Sequence, residues 1–187
     1  MIGVGTGRYL GTSDLGDKSV QSLYVLHEKL DNTDLGNLRG HSGMVRQTMN
    51  SSHVSPTTQR VDWDSKVGWF IDFDQTAGER VNVEMDLQLN PGMITLATTV
   101  PTPTPCSPGG TSWLYFFRLD TGTLLASEES QNLIVGFGNV VEKNDERMAT
   151  ISVGSDGSIK RTAAPLLGGG SMTPGTLKRT SWRELIN

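Results

Sequence analysis

The chain has 187 residues, with 16 basic and 20 acidic side chains and a net charge of -4. That length suffices for one sizeable core, since domains usually run about 100 to 200 residues, and the scattered charge gives no field for steering nucleic acid, which is therefore not an expected partner. Twenty-two glycines, eight prolines and many threonines and valines predict an all-β chain of short strands, while the single cysteine excludes an internal disulfide framework.

The opening MIGVGTGRYL alternates small and β-branched residues and predicts a strand that ends in a polar loop, GTSDLGDKS. It lacks the charged start and long apolar run of a signal peptide, and no segment reaches the roughly 18 apolar residues of a membrane span. Two readings follow: a soluble, untargeted chain, or a piece cut from a longer exported protein. SVQSLYVLHEKL reads as a strand with Leu23, Val25 and His27 on one face and Tyr24, Leu26 and Glu28 on the other. Residues 31–60 carry little apolar periodicity apart from GMVRQTM, which predicts a long loop excursion with one edge strand.

KVGWFIDF restarts the regular pattern, and AGERVNVEMDLQLNPGMITLATTV gives two strands around an Asn90-Pro91-Gly92 turn. PTPTPC is a stiff connector of polyproline type. SWLYFFRL and TLLAS form a hairpin across Asp120-Thr121-Gly122; NLIVGFGNVV is a further strand, and MATISVGSDGSIKRT is a two-residue hairpin at Asp156-Gly157. A Gly/Pro linker, LLGGGSMTPG, precedes the terminal TLKRTSWRELI. Antiparallel pairs without intervening helices predict a meander, either a sandwich or propeller blades.

Several residues invite a chemical reading. Cys106 beside Gly109 and Gly110 could be a nucleophile with His27, His41 or His53 as base, but none of these lies in a protease motif and a loop cysteine is the favoured reading. Gly5-Thr6-Gly7 starts a dinucleotide fingerprint that fails at Leu10. Asp62 with Asp64, and Asp72 with Asp74, would share a strand face as carboxylate pairs for glycoside hydrolysis or a metal, with solvated strand ends as the simpler reading. Trp63, Trp69, Trp113 and Trp182 could stack on sugars if exposed; core packing is favoured because Trp69 and Trp113 begin apolar strands. Lys178, Arg179 and Arg183 read as a solvated strand end. No catalytic, cofactor-binding or metal-ligating residue is assigned.

Four blocks in order, VGTGRYLGTSDLGDKSVQSLYVL, GWFIDFDQTAGERV, TTVPTPTPCSPGGTSWLYFFRLDTG and KRTSWREL, resemble the C-terminal region of the type IV pilus tip and biogenesis family of the neisserial PilC type. The resemblance implies that residues 1–187 are one segment of a modified β-propeller, holding about three to four blades' worth of strands at roughly 40 to 50 residues each. It implies export to the bacterial surface, outer membrane or pilus tip, and a non-enzymatic role supporting pilus assembly against retraction, adhesion and twitching motility. The implied partners are pilins or minor pilins, the assembly machinery and a host-cell surface, with dimerisation of the isolated segment through open sheet edges. Within the GERV block, Glu79 and Arg80 are expected to form an ion pair or hydrogen bonds at a blade edge. The Asp-rich calcium loop of some members is not matched: in DNTDLG, Leu35 and Ser42 stand where oxygen ligands are needed, so no cofactor is expected. The alternatives are a carbohydrate-binding all-β module, resting on the tryptophans, and a hydrolase on a β scaffold.

Overall fold

A computed structural model describes residues 1–27, 35–55, 57–89, 92–102, 109–142 and 147–165. The described residues are all-β, with eleven strands, two short 3-10 turns at Thr12–Gly16 and Leu38–Gly40, and no α-helix. The strands are β1 (Ile2–Gly5), β2 (Gln21–Leu26), β3 (Met44–Gln47), β4 (Gly68–Phe73), β5 (Asp86–Gln88), β6 (Met93–Pro101), β7 (Gly110–Arg118), β8 (Leu124–Ser130), β9 (Ile134–Glu142), β10 (Arg147–Gly154) and β11 (Ile159–Ala163). They form three sheets, ordered β1-β2-β4-β3, β5-β6-β7-β8 and β11-β10-β9.

The second sheet lies between the other two. Ile94, Leu96, Tyr115 and Phe117 from one of its faces join Leu23, Val25, Trp69, Ile71 and Phe73 of the first sheet in the main core. Met93, Ala97, Leu114 and Phe116 from its opposite face meet Ile134 and Met148 of the third sheet. Period-2 alternation sends neighbours to opposite faces, so a sheet covered twice needs apolar residues at nearly every position. WLYFF supplies them, and MITLATT mixes them with threonines whose hydroxyls are hydrogen-bonded, so that Met93–Thr99 is buried throughout.

The meander has one departure. β3 is the edge strand expected from GMVRQTM, but it runs parallel to β4, with Met44 opposite Gly68 and Gln47 opposite Ile71. A parallel neighbour requires a crossover rather than a hairpin, and residues 48–67 are that crossover, anchored by Met49 and Val61 in the main core. Gln47 ties its far end: its side-chain Oε1 accepts from the Gln59 N–H at 2.9 Å and its Nε2 donates to the carbonyls of Gln59 and Thr121, both at 2.8 Å. The two faces of β2 are as expected, with Leu23 and Val25 in the main core and Tyr24 packed beside Met44 and Phe70 on the other side.

Two hairpins follow their predicted turn residues. In the turn after β7, Gly122 has φ +69 and a Cβ there would stand 2.6 Å from the Trp69 ring, so only glycine fits both the backbone and the space. The β10–β11 connection is a three-residue loop and not the predicted two-residue one. Gly157 N donates to Gly154 O, Gly154 N to Ser158 O, and Gly157 takes φ +82, so glycine supplies the left-handed residue after a tight turn. The Asn90-Pro91 part of the β5–β6 turn, most of PTPTPC, and everything after Pro165 lie outside the described residues.

Candidate functional site

The polar centre of the molecule grows from two consecutive residues in the GERV block. Arg80 bridges Thr99 of β6 through paired main-chain bonds of 3.0 and 2.8 Å, which extends the edge of the second sheet beyond β5. Along this extended backbone Glu79 and Arg80 point to opposite sides. Both are buried, so burial forces each to find partners of its own.

Arg80 finds main-chain carbonyls. Its Nε donates to Gly78 O, Nη1 to the carbonyls of Arg8 and Asp14, and Nη2 to Asp17 O, at 2.7 to 2.9 Å. The fixed fork of a guanidinium suits such divergent acceptors. The GTGRYLGTSDLGD loop thus closes around one arginine. Asp14 stiffens the same loop by accepting from the Leu10 and Gly11 N–H groups and from Arg8 Nε. Those bonds, the Leu10 N–H above all, hold its carboxyl below the usual aspartate range despite burial. Gly7 lies against the Arg80 stem, where a Cβ would come within 2.5 Å, so the Gly5-Thr6-Gly7 motif is accounted for by packing.

Glu79 finds hydroxyls. Its Oε1 accepts from Thr98 Oγ1 of β6 and from the Tyr115 hydroxyl of β7, both at 2.6 Å. Burial, and then the charge of Glu79, push the Tyr115 hydroxyl well above the ordinary tyrosine pKa, so it stays a donor. The expectation for this pair is met in kind but corrected in place: both residues make structural hydrogen bonds at a sheet edge, yet in the interior and with other groups.

His53 completes the centre. It comes from the crossover and is, among the described residues, the non-glycine residue with positive φ, +52. Its ring stacks on Trp113 with centroids 3.7 Å apart and planes 15° from parallel. Its Nε2 stands 3.5 Å from Glu79 Oε2. Neither ring nitrogen nor that carboxylate oxygen has a hydrogen-bond partner, and all three are buried. Such orphaned polar atoms are uncommon in protein interiors.

The residues singled out from sequence are scattered. Asp72 is buried at the end of β4, where Ser22 Oγ donates to it at 2.6 Å and Arg39 and Arg46 lie at 3.2 and 3.1 Å. Asp74 shares Arg46 at 3.4 Å. These two carboxylates are committed to arginines. Asp62 and Asp64 stand in a turn and not on a strand: Asp62 accepts from Ser65 Oγ and from the Asp64 N–H, bonds that lower its pKa. His41 Nδ1 accepts from the Gly43 N–H, and His27 meets the edge of Trp63.

Trp69 is fully buried and donates to Leu119 O, and Trp63 is half-buried and donates to Asp120 O. With Trp113 half-covered by His53, the described tryptophans pack as core and form no open row for sugar. Cys106, Trp182, Lys178, Arg179, Arg183 and the Asp31–Asp34 stretch lie outside the described residues. Among the described residues no group of three or more His, Cys, Asp or Glu side chains is placed to hold a metal ion. No helix among them is long and apolar enough to cross a membrane.

Comparison with family models, with curated proteins and with solved structures finds no match to this chain.

Proposed function

We propose that this chain is a non-enzymatic propeller segment of a type IV pilus biogenesis and adhesion protein, displayed at the bacterial surface or pilus tip. It acts there through contacts with pilins or minor pilins and the assembly machinery. The observation that carries the reading is the coincidence of the described parts of the first three family-like blocks with one connected scaffold; the fourth, KRTSWREL, lies outside the described residues. The GTGRYLGTSDLGD loop is bound by Arg80 of GERV, GWFIDF is β4, and SWLYFF lies in β7, which packs on β4 through Trp69, Phe73, Tyr115 and Phe117. Blocks whose side chains build the scaffold leave binding to its edges and loops.

The stacked sheets agree with successive blades, the second being a four-stranded antiparallel run in chain order. Among the described residues β11 is the outermost strand of the third sheet, and a sheet edge suits addition of a partner's strand or a second copy. The test is deletion of this segment from its parent gene, with surface pili and host-cell adhesion counted while retraction is active and while it is disabled. Loss of pili that returns when retraction is disabled is the expected result. Normal pili and normal adhesion, with the shortened protein still displayed, would overturn the proposal; normal pili with lost adhesion would make the segment a binding module alone.

A further inference from the structure

The His53 seat has features that a purely structural histidine does not need. The ring is buried, and nothing donates to or accepts from it. It is delivered by a compact turn whose bonds are its own: Asn50 N donates to Val54 O, His53 N to Asn50 O, and Asn50 Oδ1 accepts from the Ser52 and Val54 N–H groups. His53 also sits in the left-handed region, a backbone conformation that non-glycine residues seldom adopt. One hydrogen bond, from Ser127 Oγ to His53 O at 2.7 Å, ties the turn to β8. The turn can therefore leave as a unit, giving up ring stacking, the 3.5 Å approach of His53 Nε2 to Glu79 Oε2 and one hydrogen bond while keeping its internal ones.

What it would leave behind is a slot with defined chemistry. One wall is the face of Trp113, against which a flat ring already lies at 3.7 Å. The floor is Glu79, whose Oε1 is saturated by two hydroxyls while Oε2 remains open and buried. An acceptor with an unused lone pair beside an aromatic face selects a planar group that carries an N–H donor.

We propose that the Trp113–Glu79 slot is a binding site for a flat ring bearing an N–H, that His53 occupies it in cis, and that the Asn50–Val54 turn withdraws to admit an outside ring. This goes beyond the pilus assignment and does not depend on it.

The test uses imidazole as the outside ring and thiazole, a ring of the same shape without N–H, as its control. His53→Gly suits the positive φ and empties the slot; His53→Asn, also tolerant of that backbone, serves if the glycine variant does not fold. Imidazole is expected to quench Trp113 fluorescence saturably, with a dissociation constant on the order of 1 mM and at least tenfold tighter than thiazole. In the unmutated protein imidazole is expected to bind the same slot at least tenfold more weakly than in His53→Gly, because it must displace the His53 ring. Absence of saturable binding to the variant, equal binding of the two rings, or an unmutated protein that binds imidazole as tightly as the variant or not at all would each overturn the proposal.

Discussion

The second and third sheets of this molecule differ in how many faces they cover. The second is enclosed on both, and no residue of β6 or β7 is exposed. The third covers one face, through Ile134 and Met148, while Val140, Val153 and Ile159 on the other are 43, 37 and 73% exposed. Polar groups follow the same division. Around the enclosed sheet they are buried and held by several bonds each, as at Glu79 and Arg80. At the rim of the contact between the second and third sheets they are part-exposed, as where Lys160 of β11 lies 2.5 Å from Glu128 of β8 and Thr162 bonds the same carboxylate, although Ser112, Thr95 and Thr150 deeper in that contact are buried. Stability should therefore reside in the enclosed sheet and its flanking loop, and the third sheet should be the more separable part.

Arg80 gives that contrast its strongest test. Arg80→Met keeps the apolar stem and removes every donor to the carbonyls of Arg8, Asp14, Asp17 and Gly78. An unsatisfied buried acceptor costs about 1 to 3 kcal/mol, so a loss of about 3 to 5 kcal/mol in urea unfolding is expected once the loop relaxes toward water. Arg80→Lys should recover little of it, because a single ammonium cannot reach divergent acceptors. A loss below about 1 kcal/mol for the Met variant would mean that the loop is held by something else.

Tyr115→Phe is smaller because the ring stays. It removes one of the two hydroxyls on Glu79 Oε1, and a hydrogen bond to a charged group contributes about 1.5 to 3 kcal/mol. A loss in that range is expected, with the near-ultraviolet circular dichroism preserved. Thr98→Ala in the same background should cost less than in the wild type if the carboxylate is already compromised, and a double-mutant cycle reads that coupling.

Much of the architecture was legible in the sequence because it is carried by local signals. The alternation of SVQSLYVL, the apolar block SWLYFF and the glycines at 122 and 157 mark strands and turns through backbone and burial preferences that a short window contains. The parallel placement of β3 was not legible: GMVRQTM predicts an edge strand, but its direction is decided by a crossover through residues 48–67, whose anchors Met49, Val61 and Gln47 act over long sequence separation. The site was legible only in part. GERV drew attention to Glu79 and Arg80, but nothing near Asn50-Ser51-Ser52-His53 signals that His53 reaches Trp113 sixty residues on. Asp62 and Asp64 show the converse, a spacing that would share a face on a strand and here closes a turn.

The smallest expected effects belong to the third sheet, and pH separates them from the rest. Burial opposes ionisation of Glu128, but hydrogen bonds from Lys160 and Thr162 outweigh it and hold the carboxyl below the ordinary glutamate value of 4.5. A carboxylate with a depressed folded pKa stabilises the fold fully above its unfolded value and loses that contribution as pH falls through the folded one. Acidification below about pH 4.5 should thus loosen β11 from β8. Both side chains are about a third or more exposed, so Lys160→Ala should cost less than about 1 kcal/mol and flatten this part of the acid dependence. Ile159→Thr, on the open face, should leave stability within about 0.5 kcal/mol. If Ile159→Thr proved as damaging as Tyr115→Phe, the outer face of the third sheet would have to be covered in solution, and the contrast between the two sheets would fail at the residue that displays it most.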